Sequence, residues 1–254
     1  MNNKAQPWTH RFVWHDLMTT DAAKSQAFYT ALFDWHIEAM PMMGSVYRMI
    51  VCGPGPIGGI VEEKAIPVSH WMPYVAVADV DASAARCREL GGSVCVPPTD
   101  IPQVGRFAVC GDPQGAYFTL FNGLPESPGF DPDEFVPGRV CWNELLTTDD
   151  AAAQKFYSAL FGWTAETKDM GPMGLYRVQI HAGKQAGGMM RHPAPGAPPA
   201  WLAYFATTDL AASTSKARKL GAQPIVDNMP IEGVGAFSML TDPTGATFAL
   251  FQGK

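Results

Sequence analysis

Cysteine is scarce in this sequence: there are five among 254 residues, an odd number, with no C-x-x-C pair. That argues against a disulfide framework or a cysteine-built zinc site. Cys52, Cys87, Cys95, Cys110 and Cys141 read instead as free thiols of a reducing compartment. Charge is sparse too, at 17%, and tilted towards acid, with a formal net charge of −6 and a pI near 5.5. No run of lysine and arginine breaks that balance, and a nucleic-acid partner needs clustered cations to displace counterions. Long apolar stretches are missing as well: none reaches the ~18 residues of a membrane span. The polar segment Met1 to Arg11 lacks the apolar core of a signal peptide. The expectation is a cytoplasmic protein with no nucleic-acid or membrane partner. Hydrophobic residues make up 47%, enough for a packed core and too many for wholesale disorder.

What the sequence does have is a repeat. Trp14-His15-Asp16-Leu17, Thr19-Thr20-Asp21 and the run from Phe28 to Trp35 return 128 residues later as Trp142-Asn143-Glu144-Leu145, Thr147-Thr148-Asp149 and Phe156 to Trp163. Asp112-Pro113-Gln114-Gly115 returns as Asp242-Pro243-Thr244-Gly245, and Tyr47-Arg48 as Tyr176-Arg177, at nearly the same offset. Order and spacing are kept, as in a tandem duplication. The Pro-, Gly- and acid-rich stretch 123–138 reads as a linker, which sets domains at 9–122 and 139–252.

Within each copy a second rhythm appears. Phe12–Met18 reads as a strand. A helix follows from about Asp21 to Phe33, capped by Thr20 or Asp21, with Phe28 and Leu32 on one face. Strands are expected around Tyr47–Val51, Gly59–Glu62 and Trp71–Val77. A helix over Ala82–Leu90 is stopped by Gly91-Gly92, and strands near Arg106–Cys110 and Ala116–Asn122 close the copy. The Phe28-Tyr29 and Phe156-Tyr157 stripes read as helix-to-sheet core.

The start W-x-[DE]-L-x-T-x-D, the run F-Y-x-x-L-F-x-W and the turn D-P-x-G resemble the vicinal oxygen chelate superfamily, the group of glyoxalase I, bleomycin and fosfomycin resistance proteins and extradiol dioxygenases. The resemblance spans Phe12 to Gln252 and is strongest to the tandem, glyoxalase-like branch. It implies an α+β fold of four βαβββ modules forming two tandem glyoxalase-like domains with curved mixed sheets. The concave sheet face would be the site, and helices would cover the convex face.

The resemblance also implies a divalent ion on that face, held by His, Gln or Glu from the first and last strands of the modules. In this sequence those positions fall on Trp14, Met72 and Thr119, on Trp142, Leu202 and Ala249, and near Gly59 and Gly188. None supplies a suitable ligand. No metal site is therefore expected, although a divalent metal held by unrecognised ligands stays open. Strand alternation puts His15 with Val13 and Leu17 on the helix side, one residue off the pocket, as a hydrogen-bonded structural histidine. His10, His36, His70, His181 and His192 show no metal spacing.

The same alternation assigns the concave face. Trp14, Met72, Tyr74, Tyr117, Thr119 and Phe121 line it in the first copy, and Trp142, Leu202, Tyr204, Thr247, Ala249 and Phe251 in the second. Each face carries one carboxylate, Asp16 and Glu144. This is the makeup of a small-molecule site. A carboxylate in an apolar cup should have a raised pKa, as a general base requires, or else be a structural acceptor for a Trp N–H. Arg48 and Arg177 could pair with these acids. Two functions follow. One is a metal-free protein, monomer or homodimer, that binds a small organic molecule in aromatic-lined pockets. The other is a glyoxalase- or lyase-type enzyme using Asp16 or Glu144 as base, with or without a metal. An extradiol dioxygenase would need two His and one Glu on the second copy's concave face, where none are found.

Overall fold

Among the described residues the four α-helices begin the same way, with an aspartate whose side chain accepts from backbone amides of the first turn. Asp21 accepts from Lys24, Asp79 from Ala82, Asp149 from Ala151 and Ala152, and Asp209 from Ala212. Each cap contributes about 1 kcal/mol by satisfying donors that the helix itself cannot. In the T-T-D motif the threonine takes part as well: Thr19 Oγ1 accepts from the Asp21 amide at 3.2 Å and lies 2.7 Å from Ser25 Oγ.

The computed structural model describes residues 8–42, 44–53, 55–123 and 135–254. Most of the expected linker, residues 124–134, lies outside them. The first module is β1 (Phe12–Thr19), α1 (Ala22–Leu32), β2 (His36–Met42), β3 (Ser45–Cys52) and β4 (Gly55–Glu62). The second is β5 (His70–Ala76), α2 (Val80–Glu89), β6 (Ser93–Ile101), β7 (Gly105–Gly111) and β8 (Tyr117–Gly123). The third is β9 (Val140–Thr147), α3 (Asp150–Phe161), β10 (Thr164–Asp169), β11 (Leu175–His181) and β12 (Lys184–Arg191). The fourth is β13 (Ala200–Ala206), α4 (Leu210–Lys219), β14 (Gln223–Ile231), β15 (Gly235–Thr241) and β16 (Thr247–Gly253). The strands form two eight-stranded mixed sheets, ordered β2-β3-β4-β1-β5-β8-β7-β6 and β10-β11-β12-β9-β13-β16-β15-β14. In each module the first strand pairs in parallel with the last, and the hairpins between are antiparallel.

The edge strands β2, β6, β10 and β14 are the elements that sequence patterning does not reveal. β6 carries Pro97 and Pro98 and shifts register twice. β14 carries Pro224 and Pro230, shifts register twice, and holds Asn228 at φ 46°. Proline and bulges are tolerated at a sheet edge, and they erase the alternation by which a strand is recognised.

By packing, the chain divides into two compact units. One comprises Met1–Val13, Pro73–Gly129 and Asn143–Trp201, and so takes in most of the second and third modules. The other comprises Trp14–Met72, Phe130–Trp142 and Leu202–Lys254, most of the first and fourth. The core of the first unit is built on Leu145, Phe118, Phe156, Tyr157, Phe161 and Trp163, and that of the second on Leu17, Phe28, Tyr29, Ile60, Phe205 and Phe248. Burying one such side chain is worth about 1.5–3 kcal/mol.

Each core encloses one tyrosine from the F-Y motif. Tyr157 accepts from Trp201 Nε1 at 3.0 Å and donates to Asp112 Oδ2 at 3.1 Å. Tyr29 accepts from Trp71 Nε1 at 3.0 Å and lies beside Asp242. The aspartates belong to the D-P-x-G turns, where Oδ1 of Asp112 also accepts the amides of Gln114 and Ala116, and Oδ1 of Asp242 those of Thr244 and Ala246. The phenylalanine of each F-Y pair is plain core, while the tyrosine is a polar tie between helix and turn.

Candidate functional site

Alternation along β1 separates two chemistries. His15 and Leu17 are buried, Leu17 among the core side chains against the helices. Trp14 and Asp16 share the other face, where Trp14 Nε1 donates to Asp16 Oδ1 at 3.0 Å. Tyr47, on β3, completes a closed triangle: its hydroxyl donates to Asp16 Oδ1 at 2.7 Å and accepts from Trp14 Nε1 at 2.8 Å. Asp16 is only 4% exposed. Its Oδ1 therefore receives two hydrogen bonds in a shielded place, where such bonds are worth most.

Gly59 makes the triangle possible. It pairs with Asp16 across β1–β4, and a Cβ built there would overlap the Tyr47 ring. The site reads backwards from what the resemblance implies: at the position expected to carry a metal ligand, a phenol ring lies over a bare backbone. Trp14 contributes an indole donor, and Met72 and Leu202 are buried apolar side chains. Among the described residues no group of three His, Cys, Asp or Glu is placed to hold a metal ion. The side chains at the family's ligand positions do not fit a divalent ion.

Tyr74 packs edge-to-face on Phe121, with ring centres 5.9 Å apart. Thr119, which pairs with Tyr74 across β5–β8, is fully buried, and its hydroxyl has no hydrogen-bond partner. Tyr117 stands at the start of its strand and is 49% exposed. In the second copy Tyr204 is buried and packs on Phe237 at 5.7 Å, and Phe251 is half-buried and meets Phe135 at 6.5 Å. Trp142 is half-buried, whereas Glu144 is 6% exposed and pairs across β9–β12 with Gly188, as Asp16 does with Gly59.

The two arginines lie on the helix side. Arg177 forms an ion pair of 2.8 Å with Asp150 at the start of α3. Arg48 stands opposite Ile60, whose side chain is in the core, and so shares the face of Leu17 and not that of Asp16.

Sequence spacing gave no sign of two further groupings. Burial, and then the charge of Asp112, hold the Tyr157 phenol well above its usual range, and burial raises the carboxyl of Asp112. His10 and His181, 171 positions apart in sequence, have ring centres 5.0 Å apart, at 71°. Both imidazoles are held below the usual histidine range by burial, His10 further by His181 and His181 by Arg11. Apart from the strand faces, an open groove of about 390 Å³ runs along α4 and β14, lined by Thr214, Ser215, Arg218 and Asn228 among others. Its Arg218 is already paired with Asp227 at 3.0 Å.

Residues 139–251 match the family model of a glyoxalase-like domain, and residues 11–52 that of a bleomycin resistance protein-like N-terminal segment. Over 94% of this chain and 93% of the relative, the sequence is 35% identical to "Putative glyoxylase CFP32" of Mycobacterium tuberculosis. It is 32% identical to the anthracycline biosynthesis protein DnrV of Streptomyces peucetius, over 94% of this chain and 92% of that one. Among solved structures, the 2,3-dioxygenase LapB from Pseudomonas sp. KL28 superposes with a TM-score of 0.67 at 13% identity, covering 97% of this chain and 93% of that one. The Mn(II)-bound glyoxalase from Novosphingobium aromaticivorans superposes with a TM-score of 0.65 at 15% identity, covering 96% and 82%. At such identities these two establish the fold alone. Fold, repeat, family models and full-length relatives agree: the chain belongs to the vicinal oxygen chelate superfamily, in its tandem glyoxalase/bleomycin resistance protein/dioxygenase-like branch.

Proposed function

We propose that the protein binds a small organic molecule with planar aromatic character, without a metal at the family's position, on the strand faces that carry Asp16 and Glu144. The observation that carries this reading is the Trp14–Asp16–Tyr47 triangle. It places an indole, a phenol and a buried carboxylate together on a strand face turned away from the core. Aromatic faces with a few fixed polar groups are what a small-molecule site requires. In the unit that holds Asp16, Trp14 and Met72 supply further aromatic and apolar surface in the first copy, and Trp142, Leu202, Tyr204 and Phe251 in the second; in the unit that holds Glu144, Tyr74, Thr119 and Phe121 do so. Two relatives are named for the biosynthesis of anthracyclines, a class of fused-ring aromatic compound, which supports the same ligand chemistry.

The experiment is a titration with planar aromatic alcohols and quinones, 2-naphthol first, read by tryptophan fluorescence in the wild type and in Trp14→Phe. Saturable quenching that weakens in Trp14→Phe supports the reading. No saturable binding across the panel sinks it.

The glyoxylase name of the mycobacterial relative favours a second reading, a lyase using Asp16 or Glu144 as base. Of the Asp16 carboxylate, Oδ1 is engaged by two donors, so a base role would fall to Oδ2. Asp16→Asn and Glu144→Gln separate the two readings. A binder keeps saturable binding, weakened by at most about a hundredfold, the worth of one charge-assisted hydrogen bond. A lyase loses turnover of any substrate found.

A further inference from the structure

His10 sits in an unexpected conformation. Its backbone is left-handed, at φ 61°, which a non-glycine residue adopts only at a cost. The position 128 residues on, in the second copy, is Gly138, with φ 84°. The two positions do the same structural job: Trp163 Nε1 donates to the His10 carbonyl at 2.9 Å, and Trp35 Nε1 to the Gly138 carbonyl at 2.9 Å. Glycine meets that requirement without strain, so the backbone alone gives no reason for an imidazole. The residue that faces His10 differs between the copies in the same sense. His181 stands where the first copy has Cys52, 129 residues earlier.

The side chains converge. The His10 ring lies near the backbone carbonyl of Phe161 and packs on the Phe161 ring at 5.7 Å, while its centre lies 5.0 Å from that of His181. Two imidazoles that each bind one ion at about 2.0–2.1 Å bring their ring centres to about 5 Å, the separation of this pair. A neutral imidazole keeps the lone pair of one ring nitrogen, so each of the two rings has one donor to offer an ion. Both side chains are partly exposed, so an ion can reach them.

We propose that His10 and His181 form a two-imidazole site for a divalent transition ion of borderline softness, copper(II), nickel(II) or zinc(II), distinct from the family's position on the strand face. Two neutral nitrogen donors suit these ions and not magnesium or calcium, and the Irving–Williams order places copper(II) first. Among the described residues no third His, Cys, Asp or Glu completes a set. The remaining positions of the ion belong to water or to a small exogenous ligand. The guanidinium of Arg11 near His181 weakens the site for a cation, so its occupancy follows the ion concentration. This inference does not rest on ligand binding at Asp16 or Glu144.

The test is a copper(II) titration of the full chain, free of affinity tag and stripped with chelator, followed by electron paramagnetic resonance. The wild type is expected to take up one equivalent with hyperfine splitting from two nitrogens. His10→Gly, which installs the residue of the other copy and removes strain, and His181→Gln should each weaken that uptake at least about tenfold. Their circular dichroism and melting curves should stay those of a folded chain. The triple variant His36→Gln/His70→Gln/His192→Gln should bind as the wild type does. Equal binding in His10→Gly and His181→Gln, loss in the triple variant, or a wild type that takes up no stoichiometric copper would each overturn the proposal.

Discussion

The Tyr157 hydroxyl donates to Asp112 Oδ2 at 3.1 Å across 45 residues of sequence. It joins the F-Y motif of the third module to the D-P-x-G turn of the second, and Trp201 Nε1 completes the chain of bonds on the other side of the phenol. Tyr157→Phe removes one hydroxyl and leaves both the Asp112 oxygen and the Trp201 N–H without that partner inside a core. Each abandoned group costs about 1–3 kcal/mol. The variant should therefore lose about 2–5 kcal/mol in equilibrium urea denaturation, against about 0.5 kcal/mol or less for an exposed tyrosine. A loss under 1 kcal/mol would mean that the triad is not a structural tie.

The same phenols set an alkaline limit. Tyr29 and Tyr157 are both held well above 10.0, first by burial and then by Asp242 and Asp112. Above pH 10 the unfolded chain gives up these protons and the folded chain keeps them. The folded state thus binds more protons, and stability must fall as pH rises. Asp112 acts in the same sense in acid, because burial raises its carboxyl above 3.8 and its share of stability falls as pH climbs from there. Denaturant midpoints measured from pH 8 to 11 should drop above pH 10. The drop should be shallower in Tyr157→Phe, which has one such phenol fewer.

Helix α3 offers a local test. Asp149 accepts from the amides of Ala151 and Ala152 and closes the T-T-D motif. Asp149→Ala should cost about 1 kcal/mol, with a range of roughly 0.5–2, and Asp149→Asn much less, since Asn is an equally good cap. Urea midpoints of the two variants check this directly. An alanine variant as stable as the wild type would remove the cap from the account of why the motif is there.

These motifs were legible in the sequence as motifs, but what they touch was not. The opening strand is legible as a strand because alternation is a property of the chain itself, and that alternation separates Trp14 and Asp16 from His15 and Leu17 without further information. The partners of Tyr29 and Tyr157 do not read, because packing joins the first module with the fourth and the second with the third. Spacing within one copy carries no record of that pairing. The edge strands escape for another reason, since Pro97, Pro98 and Pro224 stand where a pattern should be. Tyr47 over Gly59 is equally silent. A Gly-Gly pair and a tyrosine twelve residues before its second glycine announce nothing until β1, β3 and β4 lie side by side. His10 left one trace, a histidine where the other copy has glycine, which becomes informative only once the backbone angle is known.

Gly59 gives the sharpest test of the Asp16 face, because the ring above it leaves no room for a single carbon. Gly59→Ala must push Tyr47 aside and so break the bonds that hold Asp16 Oδ1. Overpacking of this kind costs about 1–3 kcal/mol, and the displaced phenol should also change the environment of Trp14, which donates to both groups. Tyr47→Ala alone removes the ring and one donor. In the double variant the added methyl meets no ring, so its cost should largely vanish. A double-mutant cycle in urea should give a favourable coupling of more than about 1 kcal/mol between the two sites, the size expected for groups in direct contact. The tryptophan emission of Gly59→Ala should shift, while that of the double variant should match Tyr47→Ala. Additive losses, with no coupling, would place the Tyr47 ring elsewhere and dissolve the triangle on which the binding proposal rests.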